Sequence, residues 1–108
     1  MSQVFEVIEF LEAKHGNIAE LCTKFGVKRL LVFGSAVAGT FDSSRSDIDL
    51  LVEFDTSREK ERFSDYFGLK EALEDLLAYP VDLVTSESLI NPYFANSVRD
   101  HHREIYAA

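Results

Sequence analysis

The most constraining feature of this sequence is a β-favouring run that ends abruptly in glycine. Val27 to Phe33 is rich in valine and leucine, and Gly34-Ser35 follows directly. A run of this length and composition is typical of a buried strand, and glycine permits a tight turn because it has no Cβ atom. The pattern therefore predicts a buried strand that leads into a tight turn.

The spacing of apolar residues predicts four helices. The first ends near Gly16, the second covers residues 18–25, the third covers 63–77, and the last begins at Asn91-Pro92, a cap residue followed by proline. Val98 and Ile105 fall on one face of this last helix.

Two further strands follow from the alternation of apolar and polar residues. Residues 47–54 alternate in the manner of a strand, so that Ile48, Leu50, Val52 and Phe54 share one face and Leu51 lies on the other with the acidic residues. Pro80 precedes a second such run over 81–85. The order helix, helix, strand, turn, strand, helix, strand, helix predicts a small α/β domain.

Length and composition limit the classes of protein that the chain can form. With 108 residues, 46% of them hydrophobic and 28% charged, we expect one folded domain over 1–108 rather than a disordered chain. The 19 acidic residues outnumber the 11 basic ones and give a net charge of −8. Because such a charge repels a phosphate backbone, we expect no direct nucleic-acid binding.

The cysteine content and the hydropathy pattern bear on location. Cys22 is the one cysteine of the sequence, and no Cys/His spacing resembles a zinc site. The N-terminus lacks a basic region, and no apolar run approaches membrane-spanning length. We therefore expect a cytoplasmic protein without a membrane segment.

Paired aspartates open the strand that follows the glycine turn. Asp47 and Asp49 are two residues apart, so their side chains point to the same face with Cα atoms about 6.6 Å apart. Neighbouring like charges destabilise a sheet unless a cation offsets them, and Mg²⁺ is bound by one or two carboxylates together with phosphate oxygens. A Gly-Ser pair by itself indicates no more than a turn. Beside two aspartates, it predicts a metal-nucleotide site.

A third aspartate, Asp82, lies within Val81-Asp82-Leu83-Val84, where an apolar residue would be usual. Three carboxylates on neighbouring strands could hold two metal ions for an in-line phosphoryl displacement, or Asp82 could accept the proton of the attacking hydroxyl. Taken singly, each aspartate is better explained as a loop cap, a solvated strand residue or an ion-pair partner. Their combination with Gly34-Ser35 favours the catalytic interpretation.

Two segments carry a resemblance to a known family. Phe33-Gly34-Ser35 and Ser46-Asp47-Ile48-Asp49-Leu50-Leu51-Val52 resemble the minimal nucleotidyltransferases of the DNA polymerase beta-like superfamily, and Val81-Asp82-Leu83-Val84 is similar to the third-carboxylate strand of that family. The resemblance extends from about Val27 to the end of the chain. It implies an α/β (α+β) nucleotidyltransferase fold with a small mixed sheet flanked by helices.

The resemblance also implies an activity, the transfer of a nucleoside monophosphate, usually AMP from ATP, to an acceptor hydroxyl. On the family's pattern, Gly34 and Ser35 would hold the triphosphate, and Asp47, Asp49 and Asp82 would hold Mg²⁺ or accept the proton. Many members resemble antitoxins paired with a HEPN-type helical toxin, and some add AMP to a toxin tyrosine. The implied partners are a nucleoside triphosphate and a HEPN-type toxin, whose basic surface would suit this acidic chain. A homodimer is a further expectation.

The phosphate turn departs from the family's pattern. Many members carry an arginine just before the glycine that ends the turn, whereas Ala36-Val37-Ala38-Gly39 offers no cation. Arg45, in the adjoining loop, is a candidate substitute or else a solvated loop charge. Because a missing cation weakens a triphosphate clamp, two alternatives stay open. One is a catalytically weakened antitoxin that acts by contact with a HEPN-type partner, and the other is a small-molecule nucleotidyltransferase such as those that modify aminoglycosides.

Aromatic residues at helical spacing have a simpler explanation than binding. Phe63, Tyr66 and Phe67 recur on one side of the predicted long helix, and Tyr93 and Tyr106 fall in the last segment. We expect Phe63, Tyr66 and Phe67 to pack in the core, because an apolar stripe at this spacing is typical of a core-facing helix. Tyr93, Phe94 and Tyr106 could form part of an interaction face, although core packing is the default for them too.

Overall fold

The computed structural model describes residues 7–39, 41, 42, 44, 46–87, 91–100 and 102–108. In chain order its elements are α1 (Val7–Ala13), α2 (His15–Lys24), β1 (Val27–Phe33), α3 (Ser35–Ala38), β2 (Ile48–Phe54), a 3-10 helix (Thr56–Glu61), α4 (Arg62–Leu77), β3 (Val81–Thr85), α5 (Pro92–Asp100) and β4 (His102–Ala107). The three predicted strands and the long third helix are confirmed. Within the described ranges, no helix has the length and apolar character needed to cross a membrane.

The four strands form one mixed sheet in the order β3-β2-β1-β4. β1 runs antiparallel to both β2 and β4, whereas β2 and β3 are parallel and are joined through α4. Parallel neighbours need such a crossover because a tight hairpin can join only antiparallel strands. The α/β class and the small mixed sheet flanked by helices are therefore confirmed.

The two faces of the sheet are covered unequally. The main core lies on the face that carries Val32, Leu50 and Val52, and the helices α1, α2 and α4 contribute to it. Along α4, the buried residues recur at helical spacing and are each at most 1% exposed: Leu69, Leu73 and Leu77. The opposite face carries a smaller cluster made of Leu31, Phe33, Leu51 and Val98, the last from α5. The sheet therefore has one thickly covered face and one thinly covered face.

The first helix ends earlier than predicted. α1 stops at Ala13 and α2 begins at His15, so Gly16 lies in the first turn of α2 rather than at the end of α1. Lys14 has φ −103° and ψ 14°, which interrupt the helix at that residue, and Leu11 and Ile18 on either side of it are each 1% exposed. The break therefore lies at Lys14 and not at Gly16.

The end of the chain contradicts the prediction of a single final helix. α5 ends at Asp100, and Ile105 lies in β4, where it is buried in the main core. β4 pairs with β1 through a register that includes Phe33 opposite His102 and Leu30 opposite Tyr106. The helical spacing of Val98 and Ile105 was misleading because hydrogen bonding to β1 outweighs local periodicity.

Several aromatic residues also depart from the prediction. Tyr66 and Tyr106 pack against the core as expected. In contrast, Phe63, Phe67 and Tyr93 are 78%, 51% and 88% exposed. The expectation of core packing is therefore wrong for these three side chains.

Candidate active site

The glycine turn at the end of β1 has the conformation that its sequence predicted. Gly34 has φ +72° and ψ −143°, values that strain any residue with a Cβ atom. Its carbonyl accepts hydrogen bonds from the backbone N–H groups of Val37 and Ala38, at 3.1 and 3.0 Å, so that α3 begins directly at Ser35. α3 has only four residues, and its dipole is correspondingly small. Any affinity for phosphate would therefore come from the backbone N–H groups and the Ser35 hydroxyl rather than from a helix dipole.

Strand register brings the predicted acidic residues to this turn. Asp49 lies opposite Phe33 in the β1–β2 ladder and opposite Asp82 in the β2–β3 ladder. Residues directly opposite each other in a sheet project to the same face, so Asp49 and Asp82 are neighbours on the thinly covered face. Asp47 directly precedes β2 at the same end of the sheet. Tertiary structure therefore gathers the glycine turn and the three aspartates at one end of the sheet.

Gly34 and Asp49 are in direct contact. A Cβ atom placed on Gly34 would collide with the carboxylate oxygen Oδ2 of Asp49. The position needs glycine for two reasons, the positive φ and this close approach. The turn that could cradle phosphate thus touches the carboxylate that could hold a cation.

The charges at this site repel one another. The pKa of Asp49 is raised to about 6, first by burial of the carboxylate and then by the negative charges of Asp82 and Asp47. Among the described residues, no lysine or arginine forms an ion pair with any of these three aspartates. A divalent cation would relieve this repulsion, so the electrostatics fit Mg²⁺.

The three aspartates do not form a compact metal cage by themselves. In the part of the chain that the structure describes, no group of three or more His, Cys, Asp or Glu side chains is arranged to hold a metal ion. Mg²⁺ usually takes only one or two protein carboxylates and completes its shell with water and substrate phosphates. The residues present therefore suit a cation that arrives with a nucleotide, and the assignment of Asp47, Asp49 and Asp82 as metal ligands stays a prediction.

The loop between α3 and β2 is held by local hydrogen bonds. The Asp42 carboxylate accepts from the Ser44 N–H and hydroxyl groups at 2.9 and 2.7 Å, and the Ser46 N–H donates to the Asp42 carbonyl at 2.7 Å. Arg45, the candidate substitute cation, lies outside the described residues. Its proposed role stays a prediction.

One residue at this end of the sheet was not selected as a candidate from the sequence, because adjacent histidines on a predicted helix point in different directions. His102, at the start of β4, lies opposite Phe33 on the far side of β1 from Asp49. Its ring nitrogen Nδ1 lies 2.7 Å from the Val98 carbonyl oxygen. The predicted helix hid this position, although the β-favouring pair Ile105-Tyr106 was the available signal for a strand.

A comparison with protein families now decides the family. The sequence pattern of the nucleotidyltransferase domain matches residues 17–105, which cover both the glycine turn and the three aspartates. The chain belongs to the nucleotidyltransferase family. Nucleotidyltransferases are enzymes that transfer a nucleotidyl group. The prediction that this protein is a nucleotidyltransferase is therefore confirmed.

Individual proteins similar to this nucleotidyltransferase agree with that assignment. A Methanocaldococcus jannaschii protein assigned as a protein adenylyltransferase, MJ1379, is 40% identical over 100 residues, which cover 93% of this chain and 95% of the relative. A solved structure assigned as a minimal nucleotidyltransferase is 37% identical, with a TM-score of 0.70 and coverage of 88% of this chain and 92% of the other.

A more distant structure shares the fold of this nucleotidyltransferase. It contains a tri-AMPylated HEPN toxin of Shewanella oneidensis in complex with an MNT antitoxin. The identity is 20%, the TM-score is 0.61, and the match covers 91% of this chain and 73% of the other. At this identity the likeness establishes the fold alone.

Proposed function

We propose that this protein is a Mg²⁺-dependent protein adenylyltransferase that transfers AMP from ATP to a hydroxyl of a HEPN-type helical toxin in the cytoplasm, and so acts as an antitoxin. The contact between Gly34 and Asp49 carries the proposal, because it joins a backbone turn suited to phosphate with an acidic pair suited to a cation. The assignment of the M. jannaschii relative supports AMP transfer to a protein. The AMPylated HEPN toxin bound by the S. oneidensis antitoxin supports the toxin as acceptor.

The proposed reaction is an in-line displacement at the α-phosphorus of ATP. The acceptor hydroxyl oxygen forms the new P–O bond, the bond from that phosphorus to the oxygen bridging the β-phosphorus breaks, and pyrophosphate leaves. Asp82 accepts the hydroxyl proton, because its side chain is exposed and lies beside Asp49. Gly34 and Ser35 hold the phosphates through backbone N–H groups and the hydroxyl. Asp47 and Asp49 would hold Mg²⁺, which would neutralise charge on the phosphate oxygens.

Nucleotide binding is the first test of this proposal. In isothermal titration calorimetry, we expect ATP to bind in the presence of Mg²⁺, and at least tenfold more weakly after chelation with EDTA or in Asp49→Asn. Asp75→Asn is the matched control, because Asp75 is an exposed aspartate without an ion pair among the described residues. Equal Mg²⁺-dependent binding by Asp49→Asn and the parent would contradict the assignment of Asp49.

Transfer is the second test. The protein is incubated with α-labelled ATP, Mg²⁺ and a purified HEPN-type helical toxin, and label on the toxin is measured. We expect labelling by the parent and by the control Glu20→Gln, which changes an exposed acidic residue of α2, and a loss of at least 100-fold in Asp49→Asn. If Asp49→Asn neutralises the toxin without labelling it, the alternative of an antitoxin that acts by contact is correct.

A further inference from the structure

α4 carries an exposed ridge of aromatic and acidic side chains. Phe63 and Phe67 are 78% and 51% exposed, with ring centroids 4.8 Å apart, and the edge of Phe67 also meets the ring of Tyr66. Together they present on the order of 200 Å² of aromatic surface to solvent. Isolated apolar side chains are ordinary on a protein surface, but two adjacent phenylalanines at the i and i+4 positions of one helix form a patch.

The same ridge continues into acidic residues. Glu71 and Asp75 follow Phe67 at successive intervals of four residues, so each lies next to its predecessor on the helix surface. Both are exposed, and neither forms an ion pair within the described residues, whereas neighbouring Glu74 is bound to Lys70. We define the α4 ridge as Phe63, Phe67, Glu71 and Asp75. It combines an aromatic half with an uncompensated acidic half.

A second copy of this chain fits the α4 ridge poorly. Two ridges packed in parallel would place Glu71 opposite Glu71 and Asp75 opposite Asp75. Packed antiparallel with full overlap, they would place Phe63 opposite Asp75 and Phe67 opposite Glu71. Shifted so that the phenylalanines meet, they would bring Glu71 toward the exposed Glu59 of the 3-10 helix. Each arrangement sets like charges, or a charge and an aromatic ring, against each other.

We propose that the α4 ridge is a docking surface for a different protein, one that offers an apolar socket flanked by lysine or arginine side chains. Phe63 and Phe67 fill the socket, and Glu71 and Asp75 pair with the basic residues. The proposal rests on the proposed function in one respect, that the partner is the toxin that accepts AMP. The chain's net charge of −8 adds a long-range attraction for a basic partner.

The α4 ridge is separated from the site of chemistry. α4 runs back from the end of β2 that carries Phe54 to the end where β3 begins beside Ile48, so Asp75 and Asp49 lie at the same end of the sheet. Asp49 and Asp82, however, face the side of the sheet opposite to α4, so the sheet itself lies between the ridge and the site. Variants of the ridge should therefore change docking without changing nucleotide binding.

A synthetic peptide provides a defined probe of the ridge. The probe is an 18-residue amphipathic helix with leucine on one face and lysine on the other, titrated into the ¹⁵N-labelled full chain. We expect amide shifts concentrated between residues 60 and 75, and an affinity that falls as NaCl is raised from 50 to 300 mM. The double variant Phe63→Ser/Phe67→Ser should bind at least tenfold more weakly, while Tyr93→Ser, an equally exposed aromatic on α5, should bind as the parent does.

Charge variants separate local pairing from net charge. Glu71→Lys/Asp75→Lys should weaken binding of the peptide more than Glu9→Lys/Glu20→Lys, which alters net charge equally at exposed positions on other helices. Equal binding by the Phe63→Ser/Phe67→Ser variant, or shifts centred away from α4, would overturn the proposal. So would a dimer in sedimentation equilibrium that the double serine variant dissociates, because a second copy would then cover the ridge.

Two readouts keep this proposal distinct from the proposed function. All ridge variants should retain Mg²⁺-dependent ATP binding, and their thermal unfolding should match that of the parent because the replaced side chains are exposed. If the parent fails to bind ATP but the peptide binds the ridge as described, the proposed function fails and the docking surface stands. If ATP binds and the peptide does not, only the docking surface is wrong.

Discussion

Replacement of Asp49 by asparagine should make the protein more stable and less active at the same time. The Asp49 carboxylate is partly buried beside two other carboxylates, and its pKa is raised from 3.8 to about 6 by burial and by the charges of Asp82 and Asp47. No hydrogen bond to this carboxylate is found among the described side chains. Asparagine has nearly the same shape and no charge, so Asp49→Asn removes the repulsion and leaves the packing intact.

The magnitude follows from the pKa. A rise from 3.8 to about 6 means that ionisation of Asp49 costs the folded state about 3 kcal/mol of free energy of unfolding. Because solvent reaches part of the carboxylate, screening reduces this cost to about 1 to 2 kcal/mol. The folded protein binds more protons than the unfolded chain between pH 4 and 6, roughly, so the parent loses this stability as pH rises through that window and lacks it at pH 7. Asparagine at position 49 is neutral at every pH, so the Asp49→Asn variant does not lose stability in this window.

Urea unfolding at two pH values measures the effect. At pH 7, Asp49→Asn should exceed the parent in free energy of unfolding by about 1 to 2 kcal/mol, and at pH 4 the two should agree within about half a kcal/mol. Mg²⁺ with ATP should stabilise the parent and not the variant. The exposed control Asp75→Asn should show no pH-dependent difference. A variant less stable than the parent at pH 7 would refute the reasoning, since it would mean that the carboxylate stabilises the fold.

Three further perturbations test the elements that position the site. Gly34→Ala should abolish ATP binding and lower the free energy of unfolding by about 2 to 4 kcal/mol, because it adds a collision with Asp49 to a strained φ. The control Gly39→Ala also has a positive φ, +81°, but nothing lies within 4 Å of its new Cβ atom, so it should cost only about 1 to 2 kcal/mol and keep ATP binding. Asp65→Ala should lower the free energy of unfolding in urea by about 2 to 3 kcal/mol, because Asp65 is buried and accepts two hydrogen bonds from the Arg58 guanidinium at 2.8 and 3.1 Å. Glu53→Gln should cost below about 1 kcal/mol, because the ion pairs of Glu53 with Lys28 and Arg29 are half-exposed. Burial raises the pKa of the Cys22 thiol to about 12, so a thiol reagent at pH 8 should label it rapidly only in denaturant, and fast labelling of the native protein would contradict its burial.

The sequence predicted most of the framework because the signals involved are local. β1, β2, β3 and α4 each show an apolar pattern long enough to specify the element, and Gly34 marked the end of β1 because the turn requires positive φ. The aspartates Asp47, Asp49 and Asp82 could be selected because aspartate is unfavourable in or beside a strand. Gly34 and Ser35 could be selected because they directly follow a predicted strand. Arg45 stays a prediction.

Other features depended on contacts between distant parts of the chain, which no local pattern encodes. The strand β4 exists because its backbone pairs with β1. The exposure of Phe63 and Phe67 could not be predicted, since their helical spacing is the same as that of buried residues. The sequence by itself determined which residue types were available for chemistry and where the chain could turn. Only the tertiary structure decided that Asp49 touches Gly34 and faces Asp82, because strand register, and not separation along the chain, brings those atoms together.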